Sequence, residues 1–236
     1  NGSNLIVRDG GYRGIIISTK AFNQVSVVGE TVVAEPGISL KDLANAALAA
    51  KLTGLEFASG IPGSLGGAVT MNAGAYDGEM KGVITSITVI TEDGSLKTIA
   101  ADQCQFGYRS SILQQHLWLL ISVELTLKTG DAAAIAAKMA DLNSQRQLKQ
   151  PLEYPSAGST FRRPVGYYAG KLVQDAGFRG YAIGGAQVSE KHSGFVINKG
   201  GATAADILNL IAAIQAAVKS QFGVDLKTEV IVISND

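Results

Sequence analysis

The sequence predicts an α+β protein, in which strands and helices follow one another without a regular βαβ repeat. In the first half, runs of apolar and β-branched residues lie on either side of short turn sequences, which is the pattern of β-hairpins. In the second half, apolar residues recur at helical spacing behind capping residues. A chain of 236 residues can form one large domain or two modest ones.

Two hairpins are predicted in the first half of the chain. Residues 25–28 and 31–34 are valine-rich runs separated by Gly29 and one further residue. Glycine at the first position of a two-residue loop suits a type II′ turn. Residues 84–91 and 96–99 flank a second loop, residues 92–95, whose sequence Glu-Asp-Gly-Ser is typical of a turn. These runs therefore predict two antiparallel strand pairs.

Helix and strand signals alternate around these hairpins. Ser39 and Asp42 form a Ser-x-x-Asp capping box, and the leucines and alanines that follow keep helical spacing, so a helix should run to about Leu52. Residues 123–128 alternate apolar and polar side chains, as a half-buried strand does. Asp131 is placed to cap the next helix.

Two more helices and a strand are predicted further on. Residues 167–176 form a short helical pattern that ends at a glycine. Thr203 caps a longer helix, with Asp206 three positions later and Gly223 at its end. The last strand is predicted over residues 229–233.

A domain boundary is expected near Pro151, where a polar stretch ends. We expect residues 1–150 together with residues 224–236 to form one domain. Residues 151–223 should form a second, smaller domain.

Composition excludes several classes of function. Twenty basic residues balance twenty acidic ones, so no overall field attracts nucleic acid or an acidic membrane. The single cysteine can form neither an internal disulfide nor a thiolate cluster, and the two histidines do not suggest a catalytic metal. The most apolar run is far shorter than the roughly 20 residues of a membrane helix. We expect a cytoplasmic protein that binds neither nucleic acid nor membrane; its oligomeric state stays open.

Residues 60–74, called the glycine segment below, hold five glycines. Glycines clear side chains from a backbone path, so that N–H groups can approach a ligand such as a phosphate or a flavin. No Lys-Ser or Lys-Thr pair ends the segment, so it is not a Walker A loop. On composition alone, a glycine-rich turn packed against the preceding helix is the favoured explanation.

Four other segments carry candidate chemistry. The opening sequence Asn-Gly-Ser-Asn is a turn with exposed amides, and Arg109 lies in the sequence Phe-Gly-Tyr-Arg-Ser-Ser. Ser159 closes an Ala-Gly-Ser turn just before two arginines. Glu229 begins an apolar strand, where its carboxyl group would be partly desolvated. Taken singly, each is more typical of loop or surface structure than of a site.

Together these segments resemble the UDP-N-acetylenolpyruvoylglucosamine reductase (MurB) family, over essentially the whole chain. The short connection between Arg109 and Asp131 is similar to the subtype without a long insertion, type II. The resemblance implies an FAD-binding domain of the vanillyl-alcohol-oxidase type and a smaller α+β substrate-binding domain. It also implies reduction of UDP-N-acetylglucosamine enolpyruvate to UDP-N-acetylmuramate, with NADPH as co-substrate, in peptidoglycan precursor synthesis. FAD should be noncovalent, because the glycine segment has no His or Cys to anchor it.

The resemblance also implies roles for individual residues. Ser159 would be the general acid, while Arg109 and Glu229 would stabilise the enolic carboxylate. Substrate-binding positions would be Arg162, Arg163, Lys171 and Asn198. Cofactor-binding positions would be Asn1, Gly2, Ser3, Asn4, Gly60, Ile61, Pro62, Gly63, Ser64, Gly66, Gly67, Ala68, Asn72 and Gly74.

Two alternatives remain open at this point. One is another FAD-dependent oxidoreductase of the same fold that acts on a sugar acid, and the other is a sugar-nucleotide binding module without catalysis. The family normally has several tens of residues before its Asn-Gly-Ser-Asn loop. We therefore expect the N-terminal part of the FAD-binding domain to be missing here, and the chain to bind flavin weakly.

Overall fold

The computed structural model describes residues 1–235 as fifteen β-strands and five α-helices. In chain order the strands are β1 (Leu5–Val7), β2 (Val25–Val28), β3 (Thr31–Ala34), β4 (Leu52–Thr53), β5 (Gly74–Ala75), β6 (Gly78–Glu79), β7 (Ile84–Ile90), β8 (Leu96–Ala100), β9 (Leu119–Thr126), β10 (Lys128–Thr129), β11 (Ser156–Ser159), β12 (Ala182–Ile183), β13 (Ala186–Val188), β14 (Phe195–Asn198) and β15 (Ile231–Ile233). The helices are α1 (Leu40–Ala49), α2 (Leu65–Thr70), α3 (Ala132–Lys149), α4 (Ala169–Asp175) and α5 (Ala204–Phe222). The mixed content confirms the α+β class.

The chain divides into two compact units. The first holds Asn1 and Ile17–Arg146, and the second holds Gly2–Ile16 and the chain from Gln147 onward. The change of unit after Arg146 lies close to the predicted boundary. The assignment of residues 224–236 to the first domain does not match this division. Their described part belongs to the second unit, because β15 pairs with β1 there.

The first unit is built on a five-stranded antiparallel sheet in the order β2-β3-β9-β7-β8. Both predicted hairpins are confirmed, and Gly29 between β2 and β3 has φ +60°, as a type II′ turn requires. The inward side chains of the sheet pack with α1 and α2 into one apolar core; Val32, Leu43, Leu65 and Val123 are fully buried in it. This core supports the glycine segment.

Helix α1 begins at the predicted cap. The Ser39 hydroxyl accepts a hydrogen bond from the N–H of Asp42 at 3.0 Å. The helix ends at Ala49 rather than near Leu52, because Lys51 has φ +58°, a left-handed conformation that stops a helix. Leu52 instead begins β4, so the predicted end was wrong by one turn.

The second unit contains a four-stranded antiparallel sheet in the order β11-β14-β13-β12. None of these strands was predicted, because each has only two to four residues and no alternation long enough to detect. One face of the sheet packs against α4 and α5 in a separate core that includes Val173, Val188, Leu210 and Ile214.

Helix α5 is anchored at its N-terminus by three side chains. Thr203 and Asp206 form the predicted capping box, in which each side chain accepts a hydrogen bond from the other residue's N–H. The carboxylate of Asp9 accepts hydrogen bonds from the N–H groups of Ala204 and Ala205, the first two residues of the helix, at 2.7 and 3.0 Å. The helix ends at Gly223, which has φ +70° as predicted for a glycine cap.

Strands β1 and β15 form a two-stranded parallel sheet, with Leu5 opposite Ile231 and Val7 opposite Ile233. The last strand was predicted to begin at Glu229 but begins two residues later. The N–H of Glu229 is instead bonded to the carbonyl of Thr160 at 2.9 Å. Glu229 therefore lies against the chain that leaves β11.

Thr203→Ala should lower the free energy of unfolding by about 1 kcal/mol, because it removes the hydroxyl that caps α5. Thr203→Ser should keep most of that stability, since serine retains the acceptor. Urea denaturation at neutral pH measures both. Similar losses in the two variants would show that the threonine methyl group, and not the cap, stabilises the helix.

Candidate functional site

The glycine segment lies in the first unit against the start of α1. The N–H of Leu40 donates to the carbonyl of Gly63 at 3.1 Å, and the N–H of Leu65 donates to the carbonyl of Ile38 at 2.9 Å. The N–H of Gly66 donates to the carbonyl of Pro36 at 2.8 Å. These bonds fix the position at which α2 begins.

Three glycines of this segment are required by protein packing. A Cβ at Gly60 would lie 2.2 Å from Oδ1 of Asn143, and one at Gly66 would lie 2.9 Å from Cβ of Pro36. A Cβ at Gly74 would lie 2.8 Å from the carbonyl oxygen of Gly78. At these three positions the missing Cβ leaves room for neighbouring protein atoms, and contact of their backbone with a ligand stays a prediction.

Gly67 differs from these three. It is exposed, and a Cβ there would meet only the hydroxyl of Ser64, at 3.8 Å. Ser64 is the N-cap of α2, but its side chain makes no capping hydrogen bond. The N–H groups of Ser64 and Gly67 have no acceptor within residues 1–235. The segment thus offers N–H donors at an open helix start.

This donor set fits a flavin dinucleotide. The first N–H groups of a helix favour phosphate oxygens because they are unsatisfied and carry partial positive charge. The same groups can also bond to the carbonyl oxygens of a flavin ring. Gly63, Ser64 and Gly67 would hold the cofactor through their backbone, with Pro62 exposed beside them.

Two predicted cofactor residues are turned into the protein. Ala68 is buried, and its N–H donates to the carbonyl of Ser64 at 2.9 Å. Asn72 is 1% exposed, and its side chain makes three hydrogen bonds to protein groups. These two polar groups have partners within the protein, and their contact with FAD stays a prediction.

The Asn-Gly-Ser-Asn loop belongs to the second unit except for Asn1. It is a tight turn, in which the N–H of Leu5 donates to the carbonyl of Gly2 at 3.1 Å. Gly2 has φ +72° and open space around it. The side-chain amide of Asn4 donates to the carbonyl of Glu229 at 3.2 Å, so this residue also holds the loop to the C-terminal strand.

Arg109 lies in the first unit, on a turn closed by hydrogen bonds in both directions between Gly107 and Ser110. Its guanidinium carbon lies 5.2 Å from the centre of the Tyr108 ring. Arg109 is half-buried, with φ +54°. This conformation is uncommon for residues other than glycine, so the surroundings must hold the turn in place.

Ser159 and Glu229 lie on adjacent segments of the second unit. Ser159 is the half-buried last residue of β11 and is paired with Phe195. Glu229 is only 9% exposed and lies opposite Thr160, the residue that follows Ser159. A residue with a hydroxyl thus ends β11, and a residue with a buried carboxyl group is bonded to the residue that follows it.

The predicted substrate residues have diverse surroundings. Lys171 forms an ion pair with Asp175 on the exposed side of α4. The guanidinium of Arg163 stacks 4.0 Å from the centre of the Tyr168 ring. Nε of Arg162 is buried, with no hydrogen-bond partner within residues 1–235. Among these residues, Arg162 has an unsatisfied donor.

Asn198 borders a cavity of about 360 Å³ within the second unit. Its Oδ1 accepts hydrogen bonds from the N–H groups of Gly200 and Ala202, at 2.9 and 3.1 Å, and so shapes the loop before α5. Ser156 and Thr160 also line the cavity. Ser159 and Glu229 do not line it.

The other reactive groups have structural surroundings. Nδ1 of His192 accepts a hydrogen bond from the N–H of Gly194 at 3.0 Å, and burial lowers the pKa of this imidazole. Burial also raises the pKa of the Cys104 thiol to about 11, so it stays protonated at neutral pH. Within residues 1–235 there is no cluster of three metal-ligating side chains, and no helix is long and apolar enough to cross a membrane.

Two matches to family models define the class of protein. Residues 1–100 match the model described as an FAD binding domain. Residues 150–233 match the model described as the C-terminal domain of UDP-N-acetylenolpyruvoylglucosamine reductase. Together with the donors at the start of α2, these matches define an FAD-dependent oxidoreductase.

Similar proteins identify the family. The UDP-N-acetylenolpyruvoylglucosamine reductase of Clostridium perfringens is 54% identical over 236 residues, which are 100% of this chain and 78% of the relative. That of Caldanaerobacter subterraneus is 52% identical over 233 residues, covering 99% of this chain and 77% of the relative. The crystal structure of the Thermus caldophilus reductase superimposes with a TM-score of 0.84 at 34% identity, covering 98% of this chain and 82% of that one. The chain belongs to the UDP-N-acetylenolpyruvoylglucosamine reductase family.

The neighbouring glycines of α2 give a matched test of the cofactor site. Gly66→Ala should destabilise the protein by about 1–3 kcal/mol, because the new methyl group meets Pro36. Gly67→Ala should not destabilise the helix, since alanine is a better helix former than glycine by about 1 kcal/mol. It should nevertheless weaken FAD binding, because its methyl group lies beside the available N–H groups.

Thermal denaturation of the apoprotein and titration with FAD, followed by flavin fluorescence, separate these effects. Unchanged FAD affinity in Gly67→Ala would place the cofactor elsewhere.

Proposed function

We propose that this chain reduces UDP-N-acetylglucosamine enolpyruvate to UDP-N-acetylmuramate, with NADPH as the electron source, in peptidoglycan precursor synthesis. FAD, when bound, would supply hydride transfer between NADPH and the terminal vinyl carbon of the enolpyruvyl group. Residues of the chain must then stabilise the negative charge that develops on the substrate and donate a proton to it.

The observation that carries the proposal is the pairing of the chain around Ser159 with the chain around Glu229. The N–H of Glu229 donates to the carbonyl of Thr160, and Phe161 forms a bridge with Thr228. This pairing brings a residue with a hydroxyl and a residue with a buried carboxyl group to adjacent segments, in a chain whose relatives are named for this reduction.

Arg109 and Glu229 would stabilise the negative charge that develops on the substrate carboxylate. Arg109 would do so by its permanent positive charge. Glu229 would donate a hydrogen bond as a neutral carboxylic acid.

Ser159 would donate the proton to the carbon that bears the carboxylate. A serine hydroxyl is a weak acid in water, so this transfer depends on neighbours that stabilise the charge elsewhere. Gly158, with φ +81° and open space around it, allows the sharp bend that presents Ser159 at the end of β11.

Ser159→Ala should leave FAD reduction by NADPH unchanged and slow FAD reoxidation by the enolpyruvyl substrate about 10²–10⁴-fold, because only the second half-reaction needs the proton. Stopped-flow absorbance measures the two half-reactions separately. Ser220→Ala, at an exposed position of α5, is the control and should change neither rate. Equal slowing of both half-reactions in Ser159→Ala would assign this serine a structural role.

Glu229→Gln should retain more activity than Glu229→Ala. An amide N–H can partly replace a neutral carboxylic acid as donor, whereas alanine leaves the substrate oxygen without a partner. Steady-state NADPH oxidation, with circular dichroism to verify folding, compares the two. If both variants are equally inactive, the carboxyl group transfers a proton and is not only a hydrogen-bond donor.

A further inference from the structure

The side chain of Asn72 joins three segments of the first unit. Its Nδ2 donates to Oε2 of Glu79 at 2.9 Å and to the carbonyl of Gly107 at 3.1 Å. Its Oδ1 accepts a hydrogen bond from the N–H of Lys81 at 2.9 Å. Both amide hydrogens and the carbonyl oxygen are therefore used within the protein, where this side chain is only 1% exposed.

Asn72 also adopts a left-handed backbone conformation, with φ +40°. Asparagine tolerates this region better than most residues that carry a Cβ. The conformation directs the chain away from the end of α2 toward β5. The side chain can then reach Gly107, 35 positions further along the sequence.

The Gly107–Ser110 turn carries Arg109, and it is tied to α2 on two sides. On one side, Asn72 bonds to the carbonyl of Gly107. On the other, the hydroxyl of Ser111 and the amide of Gln114 both donate to the carbonyl of Thr70, at 2.9 and 3.1 Å. Because Arg109 has φ +54°, the turn depends on such external bonds to keep its orientation.

We infer that Asn72 is a positioning residue for Arg109, an inference that rests on the proposed function. The first turn of α2 provides N–H donors. The carbonyl of Thr70, the last residue of α2, accepts hydrogen bonds from Ser111 and Gln114, which follow the Arg109 turn. Asn72 sets the orientation of that turn relative to α2, and its side-chain hydrogen bonds are made to groups of the protein. Its contribution to the reaction passes entirely through Arg109.

Two variants test this inference. Asn72→Gly removes the side chain and keeps the backbone, because glycine adopts φ +40° without strain. Asn72→Asp keeps the acceptor for the N–H of Lys81 and removes both donors. Either variant should slow reoxidation of FAD by the enolpyruvyl substrate about 10- to 100-fold, the size of effect expected from a misplaced catalytic group. FAD absorbance, FAD affinity and the rate of FAD reduction by NADPH should stay within about twofold of the parent protein.

A double-mutant cycle with Arg109→Ala distinguishes positioning from a general structural role. In the Arg109→Ala background, Asn72→Gly should change the substrate half-reaction less than about twofold, because the group it positions is gone. Asn45→Ala, an exposed asparagine of α1, is the control and should change no rate in either background.

Two results would overturn the inference in distinguishable ways. If the effects of Asn72→Gly and Arg109→Ala multiply, Asn72 does not act through Arg109, and the proposed function is untouched. If Arg109→Ala alone leaves the substrate half-reaction unchanged, the role proposed for Arg109 fails, and the inference fails with it.

Discussion

The cofactor site depends on one backbone-to-backbone contact, that between residues 63–66 and residues 36–40. Three hydrogen bonds of 2.8–3.1 Å join the two stretches, with Ser39 and Ser64 opposite each other as an antiparallel bridge. So close an approach requires that residue 66 have no Cβ, since one would lie 2.9 Å from Pro36. The contact sets where α1 and α2 begin, and hence where the helix-start N–H groups of the glycine segment point.

Local features of the fold could be predicted from the sequence, because their signals span only a few residues. The capping box of α5 needs a threonine and an aspartate three positions apart, and both are found in their expected roles. The β2–β3 hairpin needs one glycine at a positive φ. The four-stranded sheet of the second unit gave no such signal. Its strands, such as β12 with two residues, are defined by hydrogen bonds to strands distant in sequence.

In the candidate site, too, some features could be predicted from the sequence and others could not. The glycine segment could be recognised from the sequence. The sequence could not show at which glycines the missing Cβ leaves space for protein atoms and at which it leaves space for a ligand. Gly66 and Gly67 are neighbours with opposite surroundings. The same limit applies to Asn72: a polar residue beside a binding loop gives no sign in sequence that its side-chain amide is bonded to Glu79, Lys81 and Gly107.

The pairing of β1 with β15 has a consequence for synthesis on the ribosome. The second unit is discontinuous, and Asn4 contacts Glu229, 225 positions later in the chain. Residues 17–146 form a continuous stretch that can fold as it emerges, whereas within residues 1–235 strand β1 pairs with β15, which is made last. At 5–20 residues per second, β15 follows β1 after roughly 10–45 s. The second unit is therefore completed only after the whole first unit has been made.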